Sequence, residues 1–124
     1  MNEGKMNIKN NLIKDKSYNF ALEIIKLVQI LPRNIAGIEL GKQLIRSGTS
    51  IGANVEEAIG AFSRKDFIHM MNISKKEARE SRYWLRLMLD SQLSSKISAN
   101  KLLDDANELT KILTAIVKTA KIRS

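Results

Sequence analysis

The sequence predicts an all-α protein, an antiparallel up-down-up-down four-helix bundle. Three observations lead there. Apolar residues recur at spacings of three and four along four long stretches, the period of one helix face. One proline and six glycines in 124 residues leave few turn formers, which argues against a turn-rich β fold. The breaks between stretches are short, and short links join antiparallel neighbours. A chain of 124 residues is long enough to bury one core.

The first 16 residues are rich in Asn and Lys and lack sustained periodicity, so a flexible basic arm is expected over 1–16, ahead of a bundle over 17–122. The first helix is expected over 17–31, with Phe20, Ile24, Leu27 and Leu31 on one face and Ala21 and Val28 beside them. Pro32 stops it, because proline lacks a backbone donor and disfavours helix in the residue before it.

The second helix is expected over 35–61, with Leu44, Ile45, Ile51, Val55 and Ile59 as its apolar contacts. Gly37, Gly41, Gly48 and Gly52 each cost about 1 kcal/mol relative to Ala inside a helix. Close approach of a neighbouring helix would compensate through dispersion contacts. A helix break over 46–50 is the alternative.

Ser63 is placed to cap a third helix over 64–91, with Asp66 in its first turn. Its inner stripe is Phe67, Met70 and Met71, Ser74, Ala78, Ser81, Leu85 and Met88, small in the middle to match the glycines of the second helix. A Ser-rich link follows, and Ser98 is expected to cap a fourth helix reaching residue 121. Leu102, Ala106, Leu109, Leu113, Ile116 and Ala120 form that helix's seam, flanked by Leu103 and Val117. Ile25, Ile30, Ile73, Trp84, Leu87 and Ile112 lie off the seams and suggest a second buried surface between subunits; scattered exposed hydrophobes are the alternative.

The formal net charge of +8 favours polyanionic partners, nucleic acid before an anionic membrane surface. Without cysteine there are no disulfides, thiolate nucleophiles or zinc–thiolate sites. This fits a reducing, cytoplasmic setting. The most apolar segment, over 20–31, is interrupted by Glu23, Lys26 and Gln29, too short and too charged to span a bilayer. The basic N-terminus has no apolar run after it and does not read as a signal peptide.

The third helix carries a polar stripe of Lys65, His69, Asn72, Lys76, Arg79, Tyr83 and Arg86, with Lys75 and Arg82 beside it. Over 64–90 there are seven basic and four acidic residues. Such a stripe can track phosphates, and Tyr83 is available for stacking. Lys65, Lys75, Lys76, Arg79, Arg82 and Arg86 are the candidate phosphate contacts. A solvated face with internal pairs such as Lys76 to Glu80 is the competing reading. Lys5, Lys9, Lys14 and Lys16 add charge at one end and Lys118, Lys121 and Arg123 at the other, where the helix dipole alone accounts for cations. On the second helix, Arg46 is expected to pair with a carboxylate of a neighbouring helix, and Asn54 to fix register.

The chain resembles the bacterial four-helix-bundle proteins encoded in intervening sequences of 23S ribosomal RNA genes. The resemblance rests on Lys16-Ser17-Tyr18 and Leu31-Pro32, on Gln43-Leu44-Ile45-Arg46-Ser47-Gly48-Thr49-Ser50-Ile51-Gly52-Ala53-Asn54-Val55-Glu56-Glu57-Ala58, and on Ser63-Arg64-Lys65-Asp66-Phe67 with Glu80-Ser81-Arg82-Tyr83-Trp84-Leu85. It implies a ring-shaped homopentamer with no established enzymatic activity. It also implies kinship with accessory proteins of diversity-generating retroelements, which bind nucleic acid and associate with a reverse transcriptase.

Three functions follow as expectations. The first is a non-enzymatic, oligomeric nucleic-acid-binding protein, with RNA or an RNA–protein complex as partner. The second is an adaptor for a partner enzyme such as a reverse transcriptase. The third is a ribonuclease: Arg64 and His69 form Arg-x-x-x-x-His, a spacing found in the HEPN nucleases, where the histidine would act as acid or base and the arginine would hold phosphate. Five residues on a helix lie about 140° apart, so that pair would have to converge across a dimer. No cofactor and no metal is expected. Asp66-x-x-His69 stands alone, and the adjacent pairs Glu56-Glu57 and Asp104-Asp105 diverge on a helix.

Overall fold

The computed structural model describes residues 3–123, with side chains from Ile8 onward. Four α-helices follow one another: α1 (Glu3–Gln29), α2 (Ile35–Ile59), α3 (Arg64–Asp90) and α4 (Lys96–Ile122). Each packs on its neighbours in chain order, and α4 returns to α1, with no diagonal contact among the described residues. Short links make successive helices antiparallel, so the expected bundle is observed.

The core is drawn from all four helices. Phe20, Ile24 and Leu27 of α1 meet Leu44, Ile51 and Val55 of α2, Met71, Leu85 and Met88 of α3, and Leu102, Leu109, Leu113 and Ile116 of α4. The stretch expected as an arm departs from the sequence reading: α1 begins at Glu3, not near Ser17. Ile13 is fully buried in the core, and Ser17 is buried beside α2. Met1 and Asn2 lie outside the described residues.

The helix ends are set by local chemistry. Asn34 caps α2, its side chain accepting from the Gly37 N–H at 2.8 Å. Ser63 caps α3, accepting from the Asp66 N–H at 3.1 Å as expected. The cap of α4 is Ser95 rather than Ser98; Ser98 supplies the N–H that Ser95 Oγ accepts, at 3.3 Å. α3 ends with Gln92 in the left-handed region at φ 60°. The Leu93 N–H reaches the Met88 carbonyl at 2.9 Å and the Gln92 N–H reaches that of Leu89 at 3.1 Å, the paired bonds of a Schellman motif.

α2 runs unbroken through residues 46–50. Gly41, Gly48 and Gly52 face α1, not the small residues of α3. A Cβ at Gly48 would meet Ile24 side-chain carbons at 3.0–3.4 Å, one at Gly41 would meet Val28 Cγ1 at 3.1 Å, and one at Gly52 would meet Ser17 Oγ at 3.2 Å. The α2–α3 contact is instead built on serines. Ser81 Oγ donates to Ser47 Oγ at 2.9 Å, and Ser74 Oγ donates to the Ile51 carbonyl at 2.8 Å. Buried hydroxyls thus find partners where no water reaches them. Ile45 and Ile59, expected as apolar contacts of α2, lie exposed on the flank nearer α1.

Candidate nucleic-acid interface

α3 has one buried face and two flanks, and the flanks differ in charge. On the flank toward α2, Arg46 Nη1 donates to Glu77 Oε2 at 2.9 Å and Arg46 Nη2 donates to Glu80 Oε1. This is the interhelical carboxylate pairing expected of Arg46. Trp84 Nε1 also donates to Glu80 Oε1, at 3.3 Å. The Arg46 hydrogen bond holds the Glu80 carboxyl below its ordinary value, with the Trp84 bond assisting and burial opposing. The same bond to Glu80 raises the Arg46 pKa.

These contacts pair two of the four acids of α3 with Arg46, Glu77 buried and Glu80 half-buried. Glu80 does not pair with Lys76 as the solvated-face reading supposed; Arg46 and Trp84 occupy it. Asn54 does not bridge helices either: its Nδ2 donates to the Ser50 carbonyl of its own helix at 2.8 Å.

On the opposite flank, Arg82 Nη1 donates to Asn107 Oδ1 of α4 at 3.1 Å. That contact orients the basic residues. Lys75, Arg79, Arg82 and Arg86, at spacings of four, three and four, form a row along the α4 border. Lys65, His69, Asn72, Lys76 and Tyr83 form the outer crest beside it. The single stripe read from the sequence is thus two parallel rows. The six candidate phosphate contacts fall within an arc of about 120° and along about 30 Å of helix.

Lys65, Lys76, Arg79, Arg82 and Arg86 are exposed, and Lys75 is half-buried. None of the six forms an ion pair among the described residues. Lys111 and Lys118 of α4 continue the positive border, being exposed and one and three turns beyond Asn107 on its face. Lys111 was missed in the sequence; its i+4 spacing from Asn107 marks it only once Asn107 is known to face Arg82.

Other candidates are placed elsewhere. Lys16 is tied to Glu108 of α4 at 2.7 Å and does not join the basic face. Arg64 and His69 are both exposed at the start of α3, on directions about 140° apart, and one protomer does not bring them together. No group of three or more His, Asp or Glu among the described residues is arranged to hold a metal. No helix among the described residues is long and apolar enough to cross a membrane.

A second surface stands apart from the basic rows of α3. Tyr18, Leu22 and Ile25 of α1 and Ile38 and Ile45 of α2 are all exposed. Each set recurs at spacings of three, four or seven, which aligns it along its helix. Between the ends of α1 and α2 lies a groove lined by Val28, Leu31, Pro32, Ile38 and Ile45, with Gln29, Arg33 and Lys42 also on its walls. Of the residues expected off the seams, Trp84 and Ile112 pack against the core instead.

The family profile described as 23S rRNA-intervening sequence protein matches residues 9–115. The chain belongs to this family. A solved structure from Bacteroides thetaiotaomicron, described as a protein with unknown function from the S23 ribosomal protein family, is 40% identical. It superposes with a TM-score of 0.81, over 89% of this chain and 98% of that one. No curated protein matches the chain. The matched residues of this chain include the Arg46 clasp and the whole basic face of α3.

Proposed function

We propose that this chain is a non-enzymatic nucleic-acid-binding module with RNA, free or in an RNA–protein complex, as its partner. The observation that carries the reading is the division of charge on α3. Arg46 draws Glu77 and Glu80 to one flank, and six basic side chains remain without ion pairs on the other flank and the crest. Cations so arranged release counterions when they meet phosphates, giving binding that is strongly salt-dependent and weakly sequence-specific.

The apolar surface of α1 and α2 supports assembly of several copies, with five in a ring as the resemblance implies. Repetition around a ring turns a modest basic patch into a continuous one. An adaptor role would use the same apolar surface for a different protein.

The test is a gel-shift titration of purified protein with end-labelled structured RNA, run native and denaturing at low and physiological salt. The reading expects a salt-sensitive shift with intact RNA. No shift at either salt contradicts it and turns the search to protein partners at α1 and α2. Cleaved RNA contradicts the non-enzymatic part and returns attention to Arg64 and His69, where His69→Ala would abolish cleavage and spare binding.

A further inference from the structure

Tyr83 is the one aromatic residue on the crest of α3. It is 52% exposed, although it lies in the middle of the helix. Its position among the cations is specific: Arg79 lies one turn before it, Arg86 one turn after it, and Lys76 two turns before it along the crest. Arg79 and Arg86 are about 10 Å apart along the axis, and Tyr83 falls between them along the helix.

The ring is also held. Tyr83 meets Trp84 edge-to-face, with centroids 5.0 Å apart and planes at 72°. Trp84 is itself fixed, half-buried against the core and donating to Glu80. Glu80 is clasped by Arg46 from α2. The same clasp that clears acids from the basic face therefore braces its exposed aromatic. An aromatic ring left half-open to water and supported from below costs little further ordering when it binds.

Resting on the nucleic-acid reading above, we infer that Tyr83 is a stacking platform for an unpaired base and that the α3 face takes single-stranded RNA in preference to duplex. A base laid on Tyr83 places its flanking phosphates toward Arg79 and Arg86. In a duplex the bases are stacked on one another and offer no free face to Tyr83, so only the phosphate contacts remain.

The sequence supplies its own reporter, because Trp84 is its only tryptophan. The experiment titrates the full chain with a single-stranded RNA of about 12 nucleotides, and separately with the same strand annealed to its complement. Affinity is followed by anisotropy of the labelled RNA, and stacking by Trp84 emission. The single strand is expected to bind more tightly and to change Trp84 emission, and the duplex to leave the emission unchanged. Tyr83→Ala is expected to weaken single-strand binding about 5- to 100-fold with little effect on the duplex. Tyr83→Phe, which keeps the ring, is expected to restore it. Circular dichroism of both variants checks that they are folded.

Equal affinity for the two RNAs, or single-strand binding unchanged in Tyr83→Ala, overturns the stacking assignment and leaves the phosphate-binding reading in place. Failure of the unaltered chain to bind either RNA overturns both.

Discussion

Arg46 has the widest consequences of any single residue. It joins α2 to α3 through two carboxylates, of which Glu77 is the more deeply buried. Arg46→Ala leaves Glu77 without its partner in the interhelical contact and is expected to cost about 1–3 kcal/mol in urea unfolding at neutral pH. The pH dependence has a definite sign. Glu80 is held below its ordinary value in the folded chain, so its contribution is present above the ordinary carboxylate range and lost as pH falls through its folded value. Glu80→Gln should therefore lower the urea midpoint near pH 7 and approach the unaltered chain as pH falls below the folded value of Glu80. The glycines give a second test at this scale. A Cβ at Gly37 collides with the Pro32 carbonyl oxygen, which is backbone and cannot turn aside. At Gly41 it meets the side-chain ends of Val28 and Leu31. Gly37→Ala is expected to destabilise by about 1–3 kcal/mol, while Gly41→Ala stays within about 1 kcal/mol because helix propensity offsets crowding. Thermal unfolding of the two variants separates these outcomes.

At the scale of elements, α1 shows where the sequence was hard to read. Polar Asn and Lys dominate its first 16 residues, and Ile8, Leu12 and Ile13 are too sparse to announce a helix. Yet Ile13 is fully buried, so Ile13→Ala is expected to cost about 2–5 kcal/mol, where a mobile arm would give almost no change. Chemical denaturation distinguishes the two. The core positions of all four helices were legible, because a period of three and four reports which face is buried: Phe20, Leu44, Leu85 and Leu113 all lie inside. Periodicity does not report which neighbour a face meets. α2 touches both α1 and α3, and the glycines went to the first and the serines to the second. The Lys76–Glu80 alternative failed for a related reason: helical spacing offers a local partner, but Arg46, distant in sequence, takes Glu80.

At the scale of the whole molecule, charged and apolar surfaces are separated. The basic rows lie on α3 toward α4, and the rows of Tyr18, Leu22 and Ile25 and of Ile38 and Ile45 lie on α1 and α2. A chain that binds RNA as an oligomer needs such a division, because subunit contacts then leave the basic face open. Ile25→Asp combined with Ile45→Asp places charge on the apolar surface and is expected to reduce the proposed assembly to single copies in light scattering. An unchanged mass would place the contacts elsewhere. The basic face was partly legible: the six candidate cations were named from the sequence, but the border formed with Asn107 and Lys111 required the packing of α3 on α4.

The most direct test of the central claim is the salt dependence of RNA binding by a variant carrying Lys76→Gln, Arg79→Gln and Arg86→Gln. If the face holds phosphates, the slope of log affinity against log salt should fall by about 2, as three single-strand phosphate contacts are lost. A slope unchanged from that of the unaltered chain would contradict the account.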